Sequence, residues 1–271
     1  MNETPESPST HSTDVAWQRW GEQDPYFGVI TNERFRRDRL DDEALEYFFH
    51  TGRKYVGHVL RVARRQFIPK FKPRRVLDFG CGVGRLVVPF AEYGSEVIGV
   101  DISPAMLAEA RRNCERFGVD ARVSLVTSDD ELSQVNGEFD LIHSFIVFQH
   151  IDPRRGRNIA SRLMDRLAPG GIASLHFTYA KAWHPDTFGQ QPPPAPAPET
   201  TRWLDRLRGA RRESAAPEPP EGDPDMQMNP YPLNELFFLV QSRLCVRTCH
   251  IEFTDHGGEL GVVMYFQRPA G

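Results

Sequence analysis

The run Val76-Leu77-Asp78-Phe79 leads directly into Gly80-Cys81-Gly82-Val83-Gly84, and this junction limits the folds open to the chain. An apolar, β-prone run from Arg75 to Phe79 suits a strand buried on both faces of a parallel sheet. Glycine at alternate positions supplies backbone that can take positive φ, and it lets a ligand approach the main chain. The next segment, Leu86 to Tyr93, reads as a helix with Leu86, Val87 and Phe90 apolar. Pro89 falls near its first turn, where a missing N–H is tolerated. Strand, glycine turn and helix in this order place a crevice at the carboxyl end of a strand in an open α/β sheet.

A second apolar run ends at Asp101, 21 residues after Gly80. An acid at that distance suits the ribose hydroxyls of an adenosine-containing cofactor, with Ile102 against the adenine face. The spacing discriminates between cofactors. A dinucleotide site asks for G-x-G-x-x-G, its third glycine allowing close helix packing. Here the pattern is D-x-G-x-G-x-G, and Arg85 stands where that third glycine belongs. Asp78 would repel a pyrophosphate, yet it suits a cofactor bearing an ammonium group and a sulfonium. S-adenosylmethionine (SAM) is therefore the expected cofactor. An NAD(P)-dependent oxidoreductase is the alternative that these residues argue against.

These residues resemble the class I, Rossmann-like SAM-dependent methyltransferases. Asp78-x-Gly80-x-Gly82-x-Gly84 is similar to that family's first motif, and Asp101 to its ribose-binding acid. Glu138-Phe139-Asp140-Leu141-Ile142 resembles the fourth-strand motif, and Leu167-Ala168-Pro169-Gly170-Gly171 the turn before the fifth strand. The resemblance covers residues 74 to 180, with a tail at 231 to 268. It implies a three-layer αβα sandwich around a mostly parallel seven-stranded sheet with an antiparallel last strand. It implies cofactor contacts from Asp78, Gly80, Cys81, Gly82, Asp101, Ile102 and Phe145. It also implies a residue beside the adenine amino group. In Thr127-Ser128-Asp129-Asp130 that residue could be Ser128, Asp129 or Asp130, with Asp129 preferred.

The pattern along the chain divides it into segments. Residues 1–16, rich in Ser, Thr, Pro and Glu, read as a disordered tail. Residues 17–72 read as an N-terminal helical cap. There Asp41 or Asp42 caps a helix that stops at Gly52, and a second helix runs from Arg53 to Phe67. Residues 73–180 and 231–271 form the cofactor-binding domain, with strands near 75–79, 96–101, 122–127, 139–146 and 171–178 alternating with helices. Ser103-Pro104 and Asp152-Pro153 are helix starts. Residues 181–230 break the rhythm. Ten of the 22 prolines lie between Pro192 and Pro230, which favours an extended insertion with a short helix at Thr201 to Arg212. Pro232 to Ser242 reads as a helix, and Val246 to Phe253 and Leu260 to Gln267 as a closing hairpin.

Composition narrows the partners. A net charge of −4 gives no global attraction to nucleic acid. Most of the arginine clusters, at 34–39, 61–65 and 206–212, are interleaved with acids and fall on helical segments, as on solvated helix faces. The four cysteines form no C-x-x-C pair, so neither a metal centre nor a disulfide framework is expected. No apolar run reaches the ~20 residues of a membrane span, and residues 1–14 lack an apolar signal core, so a cytoplasmic enzyme is expected. The expected acceptor is a small molecule or a glycan-like compound. The sequence carries no signal for oligomeric state.

Methyl transfer to oxygen or nitrogen asks for alignment and often for a base. His150, after the fourth strand in Phe148-Gln149-His150-Ile151, is the candidate base. His143 falls mid-strand, His176 near a strand end, and His250 and His256 in the late hairpin, away from the sulfonium. Tyr26 and Phe27 are candidates to cap the cofactor, and Asn229 to Tyr231 to reach the rim. Because methyl transfer requires no fixed catalytic residue, a SAM-binding module without catalysis is a further alternative.

Overall fold

The computed structural model describes residues 12–181 and 222–270. The Pro192 to Pro198 stretch and the expected helix at 201–212 lie outside the described residues. Strand β1 (Arg75–Phe79) pairs in parallel with β2 (Glu96–Asp101) and β4 (Phe139–Ser144), and β2 with β3 (Val123–Thr127). On the other side β4 pairs in parallel with β5 (Leu167–Lys181). Strand β7 (Glu259–Gln267) lies antiparallel between β5 and β6 (Cys249–Asp255). The resulting seven-stranded sheet has the order β3-β2-β1-β4-β5-β7-β6. This is the expected Rossmann-like sandwich, with the late strand antiparallel. The strand order reverses between β1 and β4, and in such sheets a crevice opens there at the carboxyl ends.

Helices cover both faces. Helices α1 (Ser12–Gln23), α2 (Pro25–Val29) and α3 (Asp42–Gln66) precede the sheet. Helices α4 (Val87–Glu92), α5 (Pro104–Arg116), α6 (Pro153–Asp165) and α7 (Leu233–Leu244) connect or follow its strands. The caps follow the sequence signals. Asp41 accepts from the Ala44 N–H, Ser103 from the Met106 N–H, and Asp152 from the Arg154 and Arg155 N–H groups.

Two expectations are corrected. Gly52 does not stop a helix, because α3 runs unbroken through it. The residue is small for packing: a Cβ there would overlap the carbonyl oxygen of Arg85 on the glycine turn. Residues 12–16, read as tail, instead form the start of α1. Tertiary bonds hold them there: Thr13 Oγ1 donates to the His150 carbonyl at 2.7 Å, and Asp14 pairs with Arg155 at 2.7 Å. Low local hydrophobicity hid these contacts, which are made to residues far along the chain.

Candidate cofactor and acceptor site

The glycine turn is built from backbone that side chains could not replace. Gly80, Gly82 and Gly84 have φ of 71°, 51° and 84°. The Gly80 and Cys81 N–H groups both donate to the Val100 carbonyl, at 2.7 and 2.9 Å, and tie the turn to the end of β2. A Cβ on Gly80 would overlap Val147. Beside this turn lies a cavity of about 520 Å³, which falls within the usual range for ligand sites.

Asp101 forms one corner of the cavity. Its Oδ2 accepts from the Gly82 N–H at 2.8 Å and its Oδ1 from the Ser103 N–H at 2.9 Å. The carboxylate is thereby fixed in orientation on the cavity wall. Burial pushes its pKa up to about 6, against the downward pull of those two backbone donors. Asp78, also on the wall, pairs through Oδ1 with His143 Nδ1 at 2.7 Å, and both groups are buried. Its Oδ2 has no hydrogen-bond partner among the described residues.

The other expected contacts divide. Cys81, Gly82, Ile102, Ser128 and Phe145 line the cavity, and Phe145 packs on Tyr55 with ring centroids 4.1 Å apart. Asp129 does not line it. Its Oδ1 accepts from the Ser133 N–H at 2.9 Å and its Oδ2 from the Ser133 hydroxyl, which holds it below the usual carboxylate range and turns it into a local cap. Asp130 takes the place on the wall. Arg155 binds it at 2.8 Å and reaches Asp14 at 2.7 Å, so one guanidinium joins α6, the loop after β3 and α1. Arg155→Gln is expected to cost about 1–2 kcal/mol in denaturant unfolding. It is also expected to make residues 12–23 the first site of limited proteolysis. Proteolysis starting elsewhere, with unchanged stability, would show the pairs to be idle.

His150 lies on the wall but is buried and engaged at both nitrogens. Nδ1 meets the Gln227 carbonyl at 2.7 Å, Nε2 meets Gln149 Nε2 at 3.4 Å, and Trp17 packs on the ring edge at 4.8 Å. Burial lowers its pKa to about 4. His176 is buried in the sheet, with Nε2 2.9 Å from Thr254 Oγ1. His256, expected to lie away from the site, instead lines it, with its ring against Phe145. Tyr26 and Phe27 do not cap the cavity. Both are buried, the Tyr26 hydroxyl bonds Glu109 at 2.7 Å, and Gly28 to Thr31 form the wall instead. Tyr231 is likewise buried, donating to the Ile151 carbonyl at 2.9 Å, while Met226 and Met228 line the cavity.

Sequence reasoning missed Arg85 as part of the site. It is buried on the cavity wall, with the Thr51 hydroxyl at 3.3 Å as its hydrogen-bond partner and no carboxylate in ion-pair range among the described residues. Burial lowers its pKa. Its position directly after the third turn glycine was the available signal.

Residues 76–171 match the family model of a methyltransferase domain. Over those residues, about a third of the chain, it is similar to methyltransferase domains. An uncharacterized methyltransferase of Synechocystis is 33% identical over 102 residues, covering 38% of this chain and 46% of that protein. A ubiquinone biosynthesis O-methyltransferase of Nitrobacter winogradskyi is 28% identical over 197 residues, covering 65% of this chain and 70% of that one. The magnesium protoporphyrin IX methyltransferase of Synechocystis, solved with S-adenosylhomocysteine (SAH), shares the fold at TM-score 0.55 and 18% identity, covering 90% of this chain and 97% of that one. The chain spans about half or less of the length of the curated relatives it matches first. Among the described residues, no helix is long and apolar enough to cross a membrane.

Proposed function

We propose that this chain is a SAM-dependent methyltransferase acting on a small-molecule acceptor. The reading rests chiefly on Asp101. Two backbone N–H groups orient its carboxylate, one from the glycine turn and one from the start of α5, and each oxygen keeps a lone pair for a ribose hydroxyl. The charge pattern of the wall fits the remainder of the donor. Asp78 offers an oxygen to an ammonium group, and Arg85, a buried cation without an ionic partner among the described residues, suits a carboxylate. Ile102 supplies an apolar face for adenine, with Ser128 and Asp130 at its edge.

Bound SAM supplies an activated methyl group. The protein's task is then to orient the donor, exclude water and align the acceptor atom. Helix α1 closes one side through Thr13, Asp14 and Trp17, and Met226 and Met228 line the cavity beside it. An aromatic and thioether-rich lining suits a compact, partly apolar acceptor more than an extended polymer. The ubiquinone and protoporphyrin methyltransferases among its relatives accord with that class.

Isothermal calorimetry with SAM and SAH tests the reading, and no heat at millimolar ligand would remove it. The affinity should also depend on pH. Ionised Asp101 accepts from the ribose, so bound donor favours the deprotonated form. Below about pH 6 a proton must leave before binding, and affinity should fall by up to tenfold per pH unit. His150 remains neutral across that window. An affinity that stays flat from pH 7 to pH 5 would contradict the assignment.

A further inference from the structure

We propose that His256, at the tip of the β6–β7 hairpin, takes the proton from the acceptor, and that His150 holds the wall. The inference rests on the methyltransferase reading above. Three observations carry it. First, His256 lines the cavity and packs edge-on to Phe145, with ring centroids 5.7 Å apart, so it flanks the residue that follows β4. Second, neither ring nitrogen of His256 has a hydrogen-bond partner among the described residues, whereas both nitrogens of His150 are engaged. A base must keep a lone pair free in the ground state and must shed its proton afterwards. His256 is exposed and can release it to solvent; His150 is buried beneath Trp17.

Third, the hairpin is fixed where it must present the ring. The His256 N–H donates to the Glu259 carbonyl at 3.1 Å, the Gly258 N–H donates to Asp255 Oδ1 at 2.7 Å, and Gly257 and Gly258 take φ of 70° and 95°. Below the tip, Thr254 Oγ1 lies 2.9 Å from His176 Nε2 and joins β6 to the centre of the sheet. The titratable groups facing the ring are Asp255 on its own hairpin and His176 on β5, whose ring centroid lies 5.4 Å away. Partial burial holds His256 below the ordinary histidine range and therefore neutral at pH 7.

The step balances as follows. A lone pair of the acceptor oxygen or nitrogen forms the bond to the methyl carbon, and the carbon–sulfur bond breaks with its electron pair retained by sulfur. The acceptor's proton passes to the imidazole of His256 and from there to water.

The test uses the full chain, methyl-tritiated SAM and the small-molecule fraction of a bacterial extract as acceptor source. His256→Ala and His256→Gln should lower label transfer about 100-fold or more. SAH affinity by calorimetry should stay within twofold of wild type, and added imidazole should restore at least tenfold of the lost rate in the alanine variant. In histidine-selective NMR, the His256 ring should titrate below the ordinary histidine range, and the buried His150 ring should stay neutral down to pH 5. Transfer within threefold of wild type, loss without imidazole rescue, or a His256 ring that does not titrate would each overturn the proposal. If the wild type binds SAH but transfers no label, the transferase reading falls and the base falls with it. If it does not bind SAH, the cofactor site itself has been misread.

Discussion

Gly52→Ala is expected to destabilise the protein by about 3 kcal/mol, although alanine is the better helix former by about 1 kcal/mol. Gly52 lies inside α3 where that helix crosses the glycine turn, and the added methyl would overlap the Arg85 carbonyl oxygen and press on the Arg85 side chain. A backbone oxygen has no rotamer to adopt, so α3 must move away from the turn. The buried face of α3, including Phe48, Phe49, Val56 and Val59, would lose packing along with it. Urea unfolding measures the loss. Because Arg85 lines the cavity, SAH affinity should fall as well. A variant as stable as wild type would show that helix and turn are not in close contact.

Asp101→Ala is expected to weaken SAH binding about 100-fold, equivalent to about 2.7 kcal/mol. Two losses combine: the ribose hydroxyls lose a charged acceptor, and the Gly82 and Ser103 N–H groups lose their partner. The second loss loosens the turn before any ligand arrives. Asp101→Asn keeps the shape and can still accept one of the two N–H bonds, so it should bind more weakly than wild type but more tightly than alanine. Calorimetry on the three proteins, with thermal melts to confirm folding, gives the order. Equal affinity in all three would refute the ribose role.

Where residue type dictates geometry, the sequence was legible. The turn at 80–84 needs positive φ and has glycine; Ser103-Pro104 and Asp152-Pro153 begin helices as cap and proline require. Asp101, Ile102 and Ser128 reach the cavity because a strand end fixes the direction of the next residues. The acids at 129 and 130 were a different matter. They are chemically equal neighbours, and their fates were decided by Ser133 on one side and Arg155 on the other. The roles of His150 and His256 were illegible for the same reason. Freedom of a ring nitrogen depends on the Gln227 carbonyl and on a hairpin more than a hundred residues from His150. Gly52 shows the opposite error, in which a residue that often ends helices was present to let two segments touch.

The placement of α1 and β7 has a practical corollary. Helix α1, which starts at Ser12, walls the cavity through Thr13, Asp14 and Trp17, so a label attached to its first turn would sit beside the ligand. Strand β7 runs antiparallel, and Gln267 pairs with Ile172 at the start of the parallel run of β5. Gln267 therefore lies at the pole of the sheet opposite the cavity, and fluorophores or surface attachments placed there should leave ligand exchange undisturbed.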